Sequence, residues 1–164
     1  MKFQQKVNFD YGFGVVGEVS FDGPLRAKPG ILKSADQANN VFGRVFTLND
    51  DGTVAAGGEG AFWGVLGNPK EHTFTGRIGD EGSNAFVPNG VSAAFYDMAI
   101  INMLTSEAAK VGFNLWYSTA TGETVALDAS VGSLAGHLQV PNAKVARLPQ
   151  ASADGGIIVV QLTN

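Results

Sequence analysis

Val7-Asn8-Phe9-Asp10-Tyr11-Gly12-Phe13-Gly14-Val15-Val16-Gly17-Glu18-Val19-Ser20-Phe21-Asp22 sets the class of this chain. The apolar side chains at 7, 9, 11, 13, 15, 19 and 21 fall on odd numbers, and polar residues or glycines hold nearly every even one. That period of two belongs to a strand with one apolar face. An unbroken strand over residues 7–21 would run about 50 Å, too long for a small domain, so the glycines at 12, 14 and 17 are expected to bend or split it. Two readings stay open: an ordinary first hairpin with its aromatic face in the core, or an arm over residues 1–16 that lies on a neighbouring subunit. On the second, Phe3, Phe9, Tyr11 and Phe13 are the candidate intersubunit contacts, because four aromatic side chains are costly to leave in water.

Outward from that stretch the same punctuation continues. Twenty-two glycines among 164 residues divide the apolar residues into short runs and leave no clear long amphipathic helix. Gly23-Pro24 is expected to break the first strand, with Leu25 to Gly30 as a loop. Ser34 to Asn40 reads either as a short helix or as a polar connection. A strand over Val41 to Leu48 closes at Asn49-Asp50-Asp51-Gly52, whose Asp-Gly pair suits a tight hairpin turn. Ala61 to Gly67 is a further apolar run, and Val87 to Val91 a turn that feeds the next strand. Ala94 to Leu104 fits either helical or strand spacing, and strand is preferred, followed by a short helical turn over Ser106 to Lys110. Phe113, Leu115 and Tyr117 alternate before Thr121-Gly122, and Val125 and Leu127 after it, which is a hairpin pattern. Leu138 and Val140 precede Pro141, and strands are expected over Val145 to Leu148 and Ile157 to Leu162. The fold class is therefore all-β, a jelly-roll-like sandwich or barrel with at most short helical turns, and residues 17–164 form a single β domain.

Composition narrows the chemistry. The net charge is −4 and the basic residues are dispersed, so a nucleic-acid partner is not expected. No run approaches the roughly 20 apolar residues of a membrane span, and the N-terminus lacks the apolar core of a signal peptide. Absence of cysteine removes disulfides, thiolate metal sites and cysteine nucleophiles, and fits synthesis in a reducing cytoplasm. Charged residues make up only 16% of the chain, which suits a surface covered by partners and equally a neutral polar one.

A search for catalytic patterns gives none that outweighs a structural explanation. Asp50 and Asp51 lack the alternating oxygen ligands and distal glutamate of a calcium loop. Gly57-Gly58-Glu59-Gly60 is not followed by the Gly-Lys-Ser/Thr of a phosphate cradle. His72 and His137 have no metal-ligand spacing, and Asp80 and Glu81 lie together in a glycine-flanked loop without a partner acid. No cofactor and no enzymatic activity are expected. Trp63 and Trp116 leave one alternative, a carbohydrate-binding β-sandwich in which an exposed indole stacks on a sugar face, while their apolar surroundings favour the core.

Three stretches in order carry a family resemblance. Gly17-Glu18-Val19-Ser20-Phe21-Asp22-Gly23-Pro24-Leu25-Arg26-Ala27 is similar to an early Gly-polar-Val-x-Phe-x-x-Pro-x-Arg-Ala pattern. Gly60-Ala61-Phe62-Trp63-Gly64-Val65-Leu66-Gly67-Asn68-Pro69 resembles a Phe-x-Gly-Val/Ile-Leu strand. Val111-Gly112-Phe113-Asn114-Leu115-Trp116-Tyr117 with Thr121-Gly122 resembles a Val-Gly-x-x-Val-Tyr-Tyr strand and its Thr-Gly turn, although Asn114 and Trp116 depart from the commoner residues. Together they resemble the phage structural cement family, which decorates tailed-phage capsids. The resemblance implies a jelly-roll-like fold, a homodimer or homotrimer on the outer capsid surface, contact with the major capsid protein, and no catalysis.

Overall fold

The computed structural model describes residues 14–70, 86–148 and 155–164. Nine strands make one hydrogen-bonded set: β1 (Val19–Ile31), β2 (Val45–Leu48), β3 (Val54–Ala56), β4 (Phe62–Leu66), β5 (Ser92–Thr105), β6 (Asn114–Ser118), β7 (Thr124–Leu127), β8 (His137–Arg147) and β9 (Gly156–Thr163). Among the described residues the nine strands pair antiparallel in the order β3-β2-β4-β5-β9-β8-β6-β7, with β1 paired to β5 off that path, and an isolated parallel bridge joins Leu32 to Val54. The all-β expectation holds, and the only helical element among the described residues is a 3₁₀ turn at Gln37–Asn39.

β5 organises the sheet. Its first half lies between β1 and β4, and its second half pairs with β9 from Met98↔Thr163 to Thr105↔Gly156. Period-two spacing sends Phe95, Ala99, Ile101 and Met103 inward, so the segment left open between helix and strand by its sequence is the longest strand. Two apolar clusters follow from this. One gathers Ile101, Met103, Leu115, Val140, Val145, Val160 and Leu162; the other gathers Leu32, Phe46, Val54, Leu66, Val87 and Phe95. The Phe46 and Phe95 rings meet at 5.1 Å, tilted by 59°, a favourable aromatic geometry.

The two ends of the strand path touch. Val45 donates its N–H to the Gly122 carbonyl (3.0 Å), and Gly58 donates to Thr119 (2.7 Å), so the β2–β3 hairpin is bonded to the β6–β7 hairpin at the far end of the order. The sheet therefore curls back on itself, as a closed or sandwiched sheet does to remove edges. Gly122 is what lets the ends approach: its φ is +73°, and a Cβ there would lie 2.4 Å from the Val45 oxygen.

Several expectations are borne out locally. The Asp51-Gly52 turn closes β2 on β3, with Asn49 donating to Thr53 at 2.8 Å, and Thr121-Gly122 closes β6 on β7. Others are corrected. Gly23-Pro24 does not end the first strand and Leu25 to Gly30 is not a loop: β1 continues to Ile31, and the interruption is absorbed by a register shift between Phe21↔Ile100 and Arg26↔Met98. Among the described residues β1 pairs on one side only, so Pro24 and Pro29 need not donate outward, the position in which strands tolerate proline. β2 begins at Val45, not Val41, because residues 41–43 form the turn that sets Gly43 against Leu66. Ser106 to Lys110 is not helical; the Thr105 hydroxyl bonds to the Glu107 backbone instead, and five residues cannot offset the cost of helix nucleation. β8 is one strand from His137 through Pro141 to Arg147, and Pro141 with Asn142 falls in the irregularity between the Gln139 and Lys144 pairings.

Candidate contact surfaces

The register shift in β1 produces the most exposed apolar feature of the described residues. Five residues, Phe21 to Arg26 counted from one to the next, advance against only two on β5, so the backbone between them bulges away from the ladder. Phe21 is 68% exposed and Leu25 54%, and all positions from Phe21 to Ala27 lie at the surface. The sequence placed Phe21 on the same inward face as Val19; the irregularity between those two pairings re-aims it outward.

Arg26 fixes the base of this bulge. Its Nε and Nη2 donate to the two Asp97 carboxylate oxygens at 2.8 and 2.9 Å, and Nη2 also donates to the Asn164 carbonyl at 2.5 Å. Lys28 reaches Asp97 Oδ2 at 3.0 Å and sets its ammonium 4.4 Å from the Trp63 ring centroid. Asp97 is buried, which pushes its carboxyl up, but the hydrogen bonds from Arg26 and Lys28 outweigh that and hold it below its ordinary value. Arg26 is raised in turn by Asp97. The Arg26 guanidinium thus ties β1 both to the Asp97 carboxylate of β5 and to the Asn164 carbonyl.

A second surface is an open groove of about 720 Å³. Val15, Val16, Phe42, Leu104 and Val125 supply its apolar lining, and Arg44, Glu123 and His137 its polar rim. Val15 and Leu104 remain 46% and 53% exposed. The chain enters at this groove through a fixed turn: Val15 donates to the Glu18 carboxylate at 3.0 Å, Gly17 donates to the Asn102 carbonyl at 2.8 Å, and the Val16 side chain packs over Gly43. Lys70 pairs with Glu18, and that hydrogen bond holds the Glu18 carboxyl below its ordinary value.

Of the residues singled out from sequence, Phe3, Phe9, Tyr11 and Phe13 lie outside the described residues, as do His72, Asp80 and Glu81. His137 sits on the groove rim with Nδ1 2.9 Å from the Ala135 carbonyl oxygen. Trp116 is buried, and Trp63 is half-buried beneath Lys28, so neither offers the open indole face that sugar stacking requires. Among the described residues no three His, Asp or Glu side chains converge as metal ligands. Sequence reasoning missed Leu25, Arg26 and Asp97, and Leu104 in the groove. An Arg and an Asp separated by 71 positions leave no local signal.

Residues 3–163 match the family described as Structural cement protein (E217 gp24/Pam3 gp6). The fold is similar to a chain in the solved structure titled "The capsid of Myoviridae Phage XM1", with a TM-score of 0.64 at 14% identity over 100% of this chain and 99% of that one. No curated protein matches the sequence.

Proposed function

Because the chain belongs to the phage structural cement family, we propose that it decorates the outer face of a tailed-phage capsid and fastens neighbouring major capsid protein subunits, without catalysing a reaction. The observation that carries the surface assignment is the β1 bulge, which presents Phe21 and Leu25 to solvent on a base held by Arg26 and Asp97. Exposed apolar side chains on a rigid support meet the physical requirement for an interface centre, where apolar anchors dominate and little ordering entropy is lost on binding. Low affinity per copy suffices, since a repeating lattice offers many sites and a copy that bridges two subunits gains from effective concentration.

Residues 1–16 act in this reading as an arm whose Phe3, Phe9, Tyr11 and Phe13 contact a neighbouring subunit or the shell, and residues 17–164 as the body. The protein works as a homodimer or homotrimer, made in the host cytoplasm and carried on the virion surface. The test is addition of the purified protein to shells of its phage assembled without it. Saturable decoration supports the reading, and absence of binding at any protein concentration overturns it.

A further inference from the structure

We infer that Asn89 is a site of spontaneous deamidation which the fold holds shut, and that its conversion irreversibly releases the turn leading into β5. Val87-Pro88-Asn89-Gly90-Val91 forms that turn, and Asn89 is the only asparagine of the chain followed by glycine. The pair carries its own chemistry. The Gly90 nitrogen attacks the Asn89 side-chain carbonyl carbon, Cγ. A C–N bond forms, the Cγ–Nδ2 bond breaks, and ammonia leaves with the Gly90 amide proton, which closes a cyclic succinimide. Water then opens the ring to aspartate or isoaspartate, with no oxidant or reductant. A glycine successor favours closure because no side chain shields its nitrogen and its backbone is permissive. Asn89 and Gly90 are both exposed, so water reaches the pair.

The closed turn withholds both reacting groups. Asn89 Oδ1 accepts from the Ser34 N–H at 3.0 Å and from Asn40 Nδ2 at 2.9 Å, while Asn89 Nδ2 donates to the Ser34 carbonyl at 2.9 Å. The side-chain amide is thus paired with the Ser34 backbone through both its oxygen and its nitrogen. The Gly90 N–H, whose proton ring closure removes, is donated to the Leu32 carbonyl at 2.7 Å. Turning Cγ toward a freed Gly90 nitrogen releases these bonds, so conversion proceeds through a local opening and its rate carries the cost of that opening. Asn40 holds the closed state from beneath. It is fully buried, donates to the Val87 carbonyl at 2.8 Å, accepts the Ser34 hydroxyl at 2.5 Å, and takes the Val87 N–H on its own carbonyl at 2.8 Å. Val87 and Leu32 anchor the turn in the apolar cluster of Phe46 and Phe95. After conversion, an aspartate at 89 has lost the Nδ2 donor and sets a carboxylate oxygen against the Ser34 carbonyl. Isoaspartate lengthens the backbone by a methylene and displaces the side chain. Neither product restores the pairing, so the opening becomes permanent.

The test follows residue 89 of the full-length protein by peptide mapping that separates asparagine, aspartate and isoaspartate, during incubation in mildly alkaline buffer with and without denaturing guanidinium chloride. Conversion should be about tenfold or more faster in the denaturant, since each ~1.4 kcal/mol of opening cost is a factor of ten. Equal rates in the two conditions would overturn the lock, and no conversion in the denaturant would overturn the site. Asn40→Ala removes a donor to Asn89 Oδ1 and should speed conversion at 89 in protein that still melts cooperatively; an unchanged rate would overturn the part given to Asn40. Should that variant fail to fold, the two wild-type rates still decide. Asn89→Asp, the product made by substitution, should melt several degrees below wild type. Equal melting would show that the turn closes again around the carboxylate, and would overturn the irreversible release.

Discussion

The Arg26 guanidinium grips the Asp97 carboxylate with two parallel hydrogen bonds of 2.8 and 2.9 Å, joining the edge strand β1 to the central strand β5. Since Asp97 is buried and Lys28 binds the same carboxylate, its removal leaves two cations without their shared partner. Asp97→Ala should destabilise the fold by about 1–3 kcal/mol, read as a lower urea midpoint with unchanged slope. It should also raise proteolytic cleavage within residues 21–27, because the base of the bulge is lost.

Acid should remove the same contribution. The folded carboxyl of Asp97 titrates below its ordinary value of 3.8. The pairing therefore stabilises the protein fully above that value and is lost as pH falls through the lower, folded one. Asp51 and Asp128, also depressed by hydrogen bonds, add acid sensitivity of the same sign. In urea titrations from neutral to acid pH, the stability gap between wild type and Asp97→Asn should narrow below about pH 4.

Gly122→Ala tests the contact that joins the two ends of the sheet. The substitution combines a φ of +73° with a methyl group 2.4 Å from the Val45 oxygen. The cost should exceed the roughly 1–2 kcal/mol of the left-handed backbone alone, seen as a melting temperature several degrees lower. Gly52→Ala, at φ +81° with open space around it, should pay only the backbone part.

Phe21→Ser and Leu25→Ser separate binding from stability. Both side chains are more than half exposed, so stability should stay within about 0.5 kcal/mol of wild type. Shell affinity, measured by co-sedimentation, should fall about tenfold or more for the pair, the effect of losing about 1.4 kcal/mol of apolar contact.

What the sequence made legible was local. Asp51-Gly52 and Thr121-Gly122 carry their turn chemistry within four residues, and the inward alternation of β5 needs no distant partner to be recognised. The continuation of β1 through Gly23-Pro24 was not legible, because what holds it is pairing with Met98 and Tyr96, more than seventy positions away. The outward turn of Phe21 was hidden for the same reason: alternation assigns a face only while register is kept, and here it shifts. The groove escaped notice because Val15, Phe42, Leu104 and Val125 come from four separated segments. The aromatic residues chosen from sequence belong to a stretch outside the described residues, so the contact surfaces named on β1 and at the groove come from the fold alone.

The decisive measurement is the disruption temperature of shells assembled without this protein, recorded by differential scanning calorimetry before and after its addition. A ligand that binds the assembled state selectively stabilises it, so the transition should rise with protein concentration until sites saturate, and Phe21→Ser/Leu25→Ser should shift that dependence to higher concentration. A transition temperature unmoved by saturating protein would contradict the cement role.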